Sequence, residues 1–163
     1  MAENSKSVRV NIKGLQMLTK ALKGKYSVRV GVMGTKATRE HKDTKLNNAE
    51  IGFLNEVGSF KRKIPSRSFL EMPLRLYLAS YLLKKKKFSQ KAIEKAVKDG
   101  KLLDLAKQVG VVAEEVVGEG FATRGFGNWV PNAPSTIARK GSDSPLIDTS
   151  ELRRSITSEA KEI

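Results

Sequence analysis

The chain has 163 residues and no cysteine, and its 31 Lys and Arg residues against 17 Asp and Glu residues give a net charge of +14. This length favours one domain, residues 1–163, around a single core, and the lack of cysteine excludes disulfides, thiolate nucleophiles and cysteine-ligated metal sites. The charge favours polyanionic or acidic partners, and we expect neither a secretory signal nor a membrane span, because the chain does not start with an apolar stretch and lacks any run of about 18 apolar residues.

The first part of the chain predicts two strands with a helix between them. Apolar residues alternate with polar ones over 8–12, which is typical of a half-buried strand ending before Gly14. Leucines then recur at helical spacing over 15–22. A stronger alternation of β-branched and polar residues over 26–32 predicts a second strand, ended by Gly34.

Residues 35–45 are polar and show no periodicity, so we expect an exposed, mobile loop. The only histidine, His41, lies in this loop. Because no second histidine or cysteine accompanies it, we interpret it as a surface side chain without a metal. We expect no metal site and no cofactor in this protein.

A short helix is expected to begin at Asn48, which can cap it, and to end at Gly58. Residues 59–66 then combine Lys and Arg side chains with Pro65, which favours extended backbone at the residue before it. This combination predicts a projecting, extended basic arm.

The segment from Arg67 to Leu83 is apolar over more than half of a helical surface, which is typical of a central buried helix that begins or kinks near Ser68. Pro73 lies within its first two turns, where proline is best tolerated. Tyr77 and Tyr81, four residues apart, are interpreted as core residues rather than as a cofactor-binding box.

The lysine run that follows this helix has two interpretations. It either contacts phosphates, or it forms a solvated face that suits the helix end and acidic protein partners, and we favour the second. Further basic concentrations lie at 36–45 and 61–67. The run consists of Lys84, Lys85, Lys86 and Lys87.

Two more helices are expected in the second half. Ser89 can cap a short helix closed by Gly100, and apolar residues repeat every three or four positions over 102–117. Glu114 and Glu115 lie next to each other on this second helix. Their side chains diverge by about 100 degrees, so they are not interpreted as a catalytic pair.

Residues 123–145 are rich in Gly, Pro and Asn and are predicted to form a loop. Its glycines lack the preceding strand and the third glycine that a phosphate-binding turn needs. Trp129, the only tryptophan, is either an interface anchor or a plug over the edge of the core. A short helix capped by Asp148 or Thr149 and a closing strand around 155–160 are expected to complete the chain.

Together these elements predict an α+β fold: a small, mainly antiparallel sheet with two to three helices packed on one face and extended charged loops. The open sheet edge and the loops are natural places for subunits to meet. No nucleophile elbow, phosphate loop or metal-ligand spacing is present in the sequence, so we expect no catalytic residue and no enzyme; a metal-dependent nuclease is the least favoured possibility.

Two stretches of the sequence resemble one family. AEIGFLNEVGSFKRKIPSRSFL is similar to the pattern of phage tail-completion and virion-morphogenesis proteins, in which a short helix ends in Glu-Val-Gly and is followed by Ile-Pro-x-Arg-x-Phe-Leu. Downstream, WVPNAPSTIARKGSDSPLIDTSELRRSI resembles the family's series of Trp, Thr-Ile, Lys-Gly and Pro-Leu-x-x-Thr-x-x-Leu-x-x-Ser-Ile. The resemblance covers Ala49 to Ile156, and the lysine-rich middle helices depart most from the pattern.

The resemblance implies a structural protein of the virion rather than an enzyme. It implies a homo-oligomeric ring, a hexamer, at the neck or tail end, either as a tail-completion protein or as a tail terminator. Its neighbours would be head-closure or connector proteins and tail-tube proteins, with phage DNA passing through, and assembly would take place in the host cytoplasm. The alternative is a basic nucleic-acid-binding protein that uses its lysine-rich patches on phosphates.

We expect the arm and the Trp129 loop to lie at subunit or ring contacts. Replacing Arg62 and Arg67 with Glu is then predicted to leave the fold intact and to block assembly, whereas full burial of Trp129 within one monomer would remove its interface role. The residues expected at these contacts are Glu56, Phe60, Arg62, Lys63, Pro65, Arg67, Phe69, Trp129, Arg139 and Lys140.

Overall fold

The computed structural model describes residues 12–40, 45–147 and 150–163. In these ranges the α+β fold expected from the sequence is confirmed, with seven α-helices and one small antiparallel sheet. The elements in chain order are α1 (Ile12–Leu22), β1 (Tyr26–Val32), α2 (Asn48–Val57), α3 (Glu71–Lys84), α4 (Gln90–Lys98), α5 (Leu102–Ala122), α6 (Pro134–Lys140), α7 (Glu151–Ser155) and β2 (Ile156–Glu162).

The sheet joins the early part of the chain to its end. Strands β1 and β2 pair antiparallel, with Tyr26 opposite Glu162 and Val32 opposite Ile156. Both strands lie where the alternating residues predict them. The strand expected over 8–12 falls mainly on residues outside the described ranges, but Ile12 already belongs to α1, so this helix begins before Gly14.

Helix α5 is the central helix of the molecule, and it packs across both strands of the sheet. Its close approach to β2 depends on Gly110, because a Cβ atom there would lie 2.6 Å from the Ser158 Oγ. The same helix contributes buried side chains to two apolar clusters. One is Leu18, Leu82, Phe88, Ile93, Leu105 and Val112, and the other is Phe69, Val117, Phe121, Trp129 and Leu152.

The helix predicted between Arg67 and Leu83 is present, but it is not the central buried helix of the molecule. The helix found there, α3, begins only at Glu71, and Leu76 on it is exposed. Apolar residues cover much of the surface of α3, which packs mainly against α5 and α1 and leaves part of this apolar surface in solvent. Tyr77 and Tyr81 are partly buried, and Tyr77 stacks on Phe126 with ring centroids 3.9 Å apart.

Local capping signals explain where several helices begin and end. Asn47, one residue before the predicted cap, accepts a hydrogen bond from the Glu50 N–H, and the Glu50 carboxylate accepts one from the Asn47 N–H. Ser89 caps α4 as expected. The predicted loop 123–145 contains the helix α6, which starts at Pro134.

The two other loop predictions overlap residues outside the described ranges. Residues 35, 36 and 38–40 and Lys45 are exposed, as expected for the charged loop, while His41 lies outside the described residues. Asp148 and Thr149, the expected caps of the last short helix, also lie outside them. No described helix is both long enough and apolar enough to cross a membrane.

Candidate assembly surface

The segment predicted as a projecting arm is a tight hairpin turn that follows α2. The backbone N–H of Ser59 donates to the Ile64 carbonyl at 2.8 Å, and the Ile64 N–H donates back to the Ser59 carbonyl at 2.9 Å. Gly58 lets the chain return over itself, since a Cβ atom there would lie 2.7 Å from the Ser66 nitrogen. The segment projects, but as a hydrogen-bonded turn rather than an extended arm.

The tip of this hairpin carries one aromatic and three basic side chains. Phe60 is fully exposed to solvent, and the three basic residues that follow it are exposed as well. Because solvent surrounds Phe60 completely, it contributes no packing energy to the monomer. The three basic residues are Lys61, Arg62 and Lys63.

Helix α2 adds two exposed apolar side chains next to the hairpin. Phe53 is 66% exposed and Val57 is 55% exposed, and residues four apart lie on one helix face. A cavity of about 460 Å³ lies beside Phe53 and is lined by Leu46, Ala49, Glu50, Phe53, Leu54 and Arg62. Because Arg62 lines it, the hairpin borders the same face. We call Phe53, Val57 and Phe60 the apolar α2 surface.

A second apolar depression, of about 220 Å³, lies on the other side of Phe53. It reaches the edge of β1 at Val32 and the start of α3 at Leu70. The Phe53 ring thus stands between two apolar hollows. Such a ridge with flanking hollows is a shape that a complementary surface can cover, and exposed apolar patches on a monomer often mark interaction sites.

Glu56, which we expected at a subunit contact, instead joins two helices within the monomer. Its carboxylate accepts hydrogen bonds from the Ser68 Oγ at 2.5 Å and from the backbone N–H groups of Phe69, Leu70 and Glu71 at 2.8 to 3.0 Å. It thereby supplies the N-terminal acceptor that Leu70, the residue preceding α3, does not provide. This role depends on residues 12 to 15 positions downstream, which the short-range pattern of α2 does not reveal.

Arg67 and Phe69 are also internal, so the prediction that they contact another subunit is wrong. Arg67 is only 8% exposed; its Nε donates to the Val130 carbonyl at 2.7 Å and its Nη2 to the Pro131 carbonyl at 2.9 Å. Phe69 packs in the core with its ring centroid 5.3 Å from that of Phe121. Replacing Arg67 with Glu would therefore damage the fold, contrary to the sequence-based expectation.

Trp129 is the plug over the core edge rather than the interface anchor. It is 7% exposed, its ring meets Phe121 edge to face at 5.6 Å, and its Nε1 donates to the Ser68 carbonyl at 3.1 Å. Gly125, with φ +68°, leaves room for the indole, because a Cβ atom there would lie 2.2 Å from the ring. The interface role expected for Trp129 is therefore removed.

The remaining expected contact residues fall into two separate groups. Phe60, Arg62 and Lys63 stay together on the exposed hairpin, with Pro65 partly buried behind them. Arg139 and Lys140, at the end of α6, instead line a cleft with Arg67, and that cleft does not include the hairpin. The structure thus brings together only part of the predicted set.

The lysine run is partly engaged within the chain. The Lys85 Nζ lies 2.8 Å from the Glu115 carboxylate on α5, and Lys87 donates a hydrogen bond to the Gln108 side chain. The Lys84 Nζ lies 5.3 Å from the centre of the Tyr81 ring. Two of the four ammonium groups thus hold the α3–α4 corner against α5.

Sequence reasoning missed both Phe53 and Val57. The available signal was Phe53 itself, a large aromatic outside the face formed by Ile51 and Leu54. Among the residues that the structure describes, no three acidic or histidine side chains form a group able to hold a metal ion. Comparison of the chain with protein-family models, with curated proteins and with solved structures finds no match.

Proposed function

We propose that this protein is a structural component of a tailed-phage virion that forms a homo-oligomeric ring at the head–tail junction, and that the apolar α2 surface and the basic hairpin contact the neighbouring subunit. The observation that carries the proposal is the exposure of Phe53 and Val57 on α2 and of Phe60 on the hairpin that follows, with Arg62 of the hairpin lining one hollow together with Phe53. The two sequence stretches that resemble tail-completion proteins supply the architectural context.

The energetics favour covering this surface. Burying a Phe or Val side chain that is exposed contributes about 1.5–3 kcal/mol, so the three side chains together supply much of what a subunit contact requires after the cost of association. A ring needs a head-to-tail contact between two different patches. The basic residues of the hairpin favour an acidic rim on the opposing patch and set its orientation.

The test replaces the hairpin aromatic without touching the core. Phe60→Asp should leave the thermal unfolding midpoint of the monomer unchanged, because the side chain makes no packing contact to lose. In the parental phage or prophage the same change should prevent completion of particles, which electron microscopy would show as filled heads and separate tails. Abnormally long tails would point to a tail terminator instead.

Val97→Asp is the matched control, because Val97 is a half-exposed apolar residue on α4, away from the hairpin. It should permit normal particles. Normal, infectious particles from Phe60→Asp would contradict the assigned contact, and normal particles after inactivation of the gene would contradict the structural function itself.

The nucleic-acid-binding alternative receives less support from the geometry. Lys85 and Lys87 are bound to groups on α5, so two of the four charges proposed to contact phosphates already have partners. Non-specific binding of single strands also uses exposed aromatic platforms among the basic residues. The ring next to the lysine run, Phe88, is buried, and the exposed ring that stands among basic side chains, Phe60, lies on the hairpin and not at the run.

A further inference from the structure

A polar cleft lies between α2, α6 and α7, outside the apolar α2 surface. It has a volume of about 240 Å³, which is below the roughly 300–1,000 Å³ of sites for drug-sized ligands. Its size suits a small ion or a small polar group. The donors that line it include Arg67, Asn132, Thr136 and Arg139.

Arg67 is a buried cation in the wall of this cleft without an acidic partner. Its two hydrogen bonds go to neutral backbone carbonyls, and none of the ion pairs among the described residues includes it. Burial lowers the pKa of the Arg67 guanidinium from its ordinary value, because desolvation disfavours the charged form. A buried charge of this kind is stabilised by a nearby negative charge.

Asn132 is a second buried group in this cleft that lacks a hydrogen-bonding partner. Its side chain is 8% exposed, and its amide nitrogen is buried without a hydrogen-bond acceptor among the described residues. A buried donor without an acceptor keeps the full cost of its desolvation. The amide thus lacks an acceptor, the guanidinium lacks a negative partner, and the two residues line the same cleft.

The charges of the other residues that line the cleft permit an anion to bind there. Arg139 adds an exposed guanidinium at the rim. Glu151 also lines the cleft, but its carboxylate lies 3.9 Å from the Nε of Arg39, which offsets its charge. Lys140 also lines the cleft, and its ammonium donates to the Ser144 carbonyl at 3.1 Å.

We propose that this cleft binds a small tetrahedral oxyanion of the phosphate type, which accepts hydrogen bonds from Arg67, Asn132 and Arg139. The Thr136 hydroxyl is an additional donor at the wall. The site does not depend on ring formation, because all of its residues belong to one chain. Its failure and the failure of the proposed structural function are therefore separate outcomes.

The test is calorimetric titration of inorganic phosphate into the purified full-length protein at constant ionic strength. We expect one site per chain in the unaltered protein. Arg139→Gln should weaken binding about tenfold, since it removes one charge-assisted hydrogen bond. Asn132→Asp should abolish binding, because it replaces the unpaired donor with a carboxylate of the same shape that repels the anion.

Arg75→Gln is the matched control, because Arg75 is an exposed arginine on α3 that lies outside the cleft and pairs with Glu71. Its phosphate affinity should equal that of the unaltered protein. Arg139→Gln keeps the test valid if Asn132→Asp fails to fold, since the Arg139 side chain is exposed.

Three results would overturn the proposal. One is a thermal stabilisation by phosphate that is equal in all variants, which is the general effect of excluded salts on any protein. Another is binding of acetate in preference to phosphate, which would make the cleft a carboxylate site. The third is the absence of any phosphate binding by the unaltered protein at constant ionic strength.

Discussion

Single polar side chains connect parts of the chain that are distant in sequence. Glu56 ties the end of α2 to the start of α3, Arg67 holds the carbonyls of Val130 and Pro131, and the Trp129 indole holds the Ser68 carbonyl. Each connects a residue near the α2–α3 junction to a distant part of the chain. The junction is therefore a structural joint, and the hairpin tip beyond it is exposed to other molecules.

Glu56→Ala should lower the free energy of unfolding by about 3 kcal/mol, because it removes a charged acceptor that serves several donors. Glu50→Ala is the control: it removes only the carboxylate half of the α2 capping box and should cost about 1 kcal/mol. Urea unfolding followed by circular dichroism measures both. Equal losses of unfolding free energy in the two variants would show that the four hydrogen bonds of Glu56 stabilise the fold no more than a helix cap does.

At the scale of elements, the contact between α5 and β2 is unusually close. Gly110 faces Ser158 across this contact, and the Ser158 Oγ donates to the Glu114 carboxylate at 2.5 Å, one turn further along α5. The missing side chain at position 110 lets the helix approach the sheet. Gly118, two turns later on the same helix, has no atom near its missing Cβ.

Gly110→Ala and Gly118→Ala should change stability in opposite directions. In a helix interior alanine is favoured over glycine by about 1 kcal/mol, and Gly118→Ala should gain about that amount. Gly110→Ala should lose about 1 kcal/mol net, because overpacking against Ser158 costs more than the propensity gain. Thermal unfolding of both variants measures these changes in stability. A stabilised Gly110→Ala variant would mean that β2 can move away from α5 at no cost in free energy.

At the scale of the whole molecule, one long helix links two apolar clusters and the surface carries a large positive charge. The basic residues are spread over the hairpin, the lysine run and the cleft rather than gathered in one groove. We therefore expect binding to polyanions to be general and not localised. An acidic rim on a neighbouring subunit would experience the same attraction.

The protein should be retained on DNA at about 50 mM salt and released by about 200 mM, because binding that rests on phosphate contacts falls steeply as counterions accumulate. Replacing Lys84 and Lys86 with Gln should weaken low-salt binding no more than replacing Lys20 and Lys23, since each pair removes two exposed charges. Retention at physiological salt that depends on Lys84 and Lys86 would instead favour the nucleic-acid-binding function. Filter binding across a salt series measures these differences.

Local sequence signals predicted most elements of the fold. The alternation over 26–32 located β1, Ser89 located the start of α4, and the repeat over 102–117 located α5. Each of these signals comes from residues a few positions apart. They can therefore be recognised without knowledge of the tertiary structure. The same reasoning predicted that the segment after α2 projects, but it did not separate the exposed hairpin from the buried residues behind it.

By itself, the sequence determined the fold class, the sites of both strands and the capped helices, and the strong positive charge, because periodicity, capping and composition act over short distances. Only the tertiary structure decided that Arg67 and Trp129 are internal, that α5 rather than α3 is central, and that Phe53 and Phe60 face solvent. Burial depends on which distant segment covers a side chain, and these residues meet partners about 60 positions away or none at all.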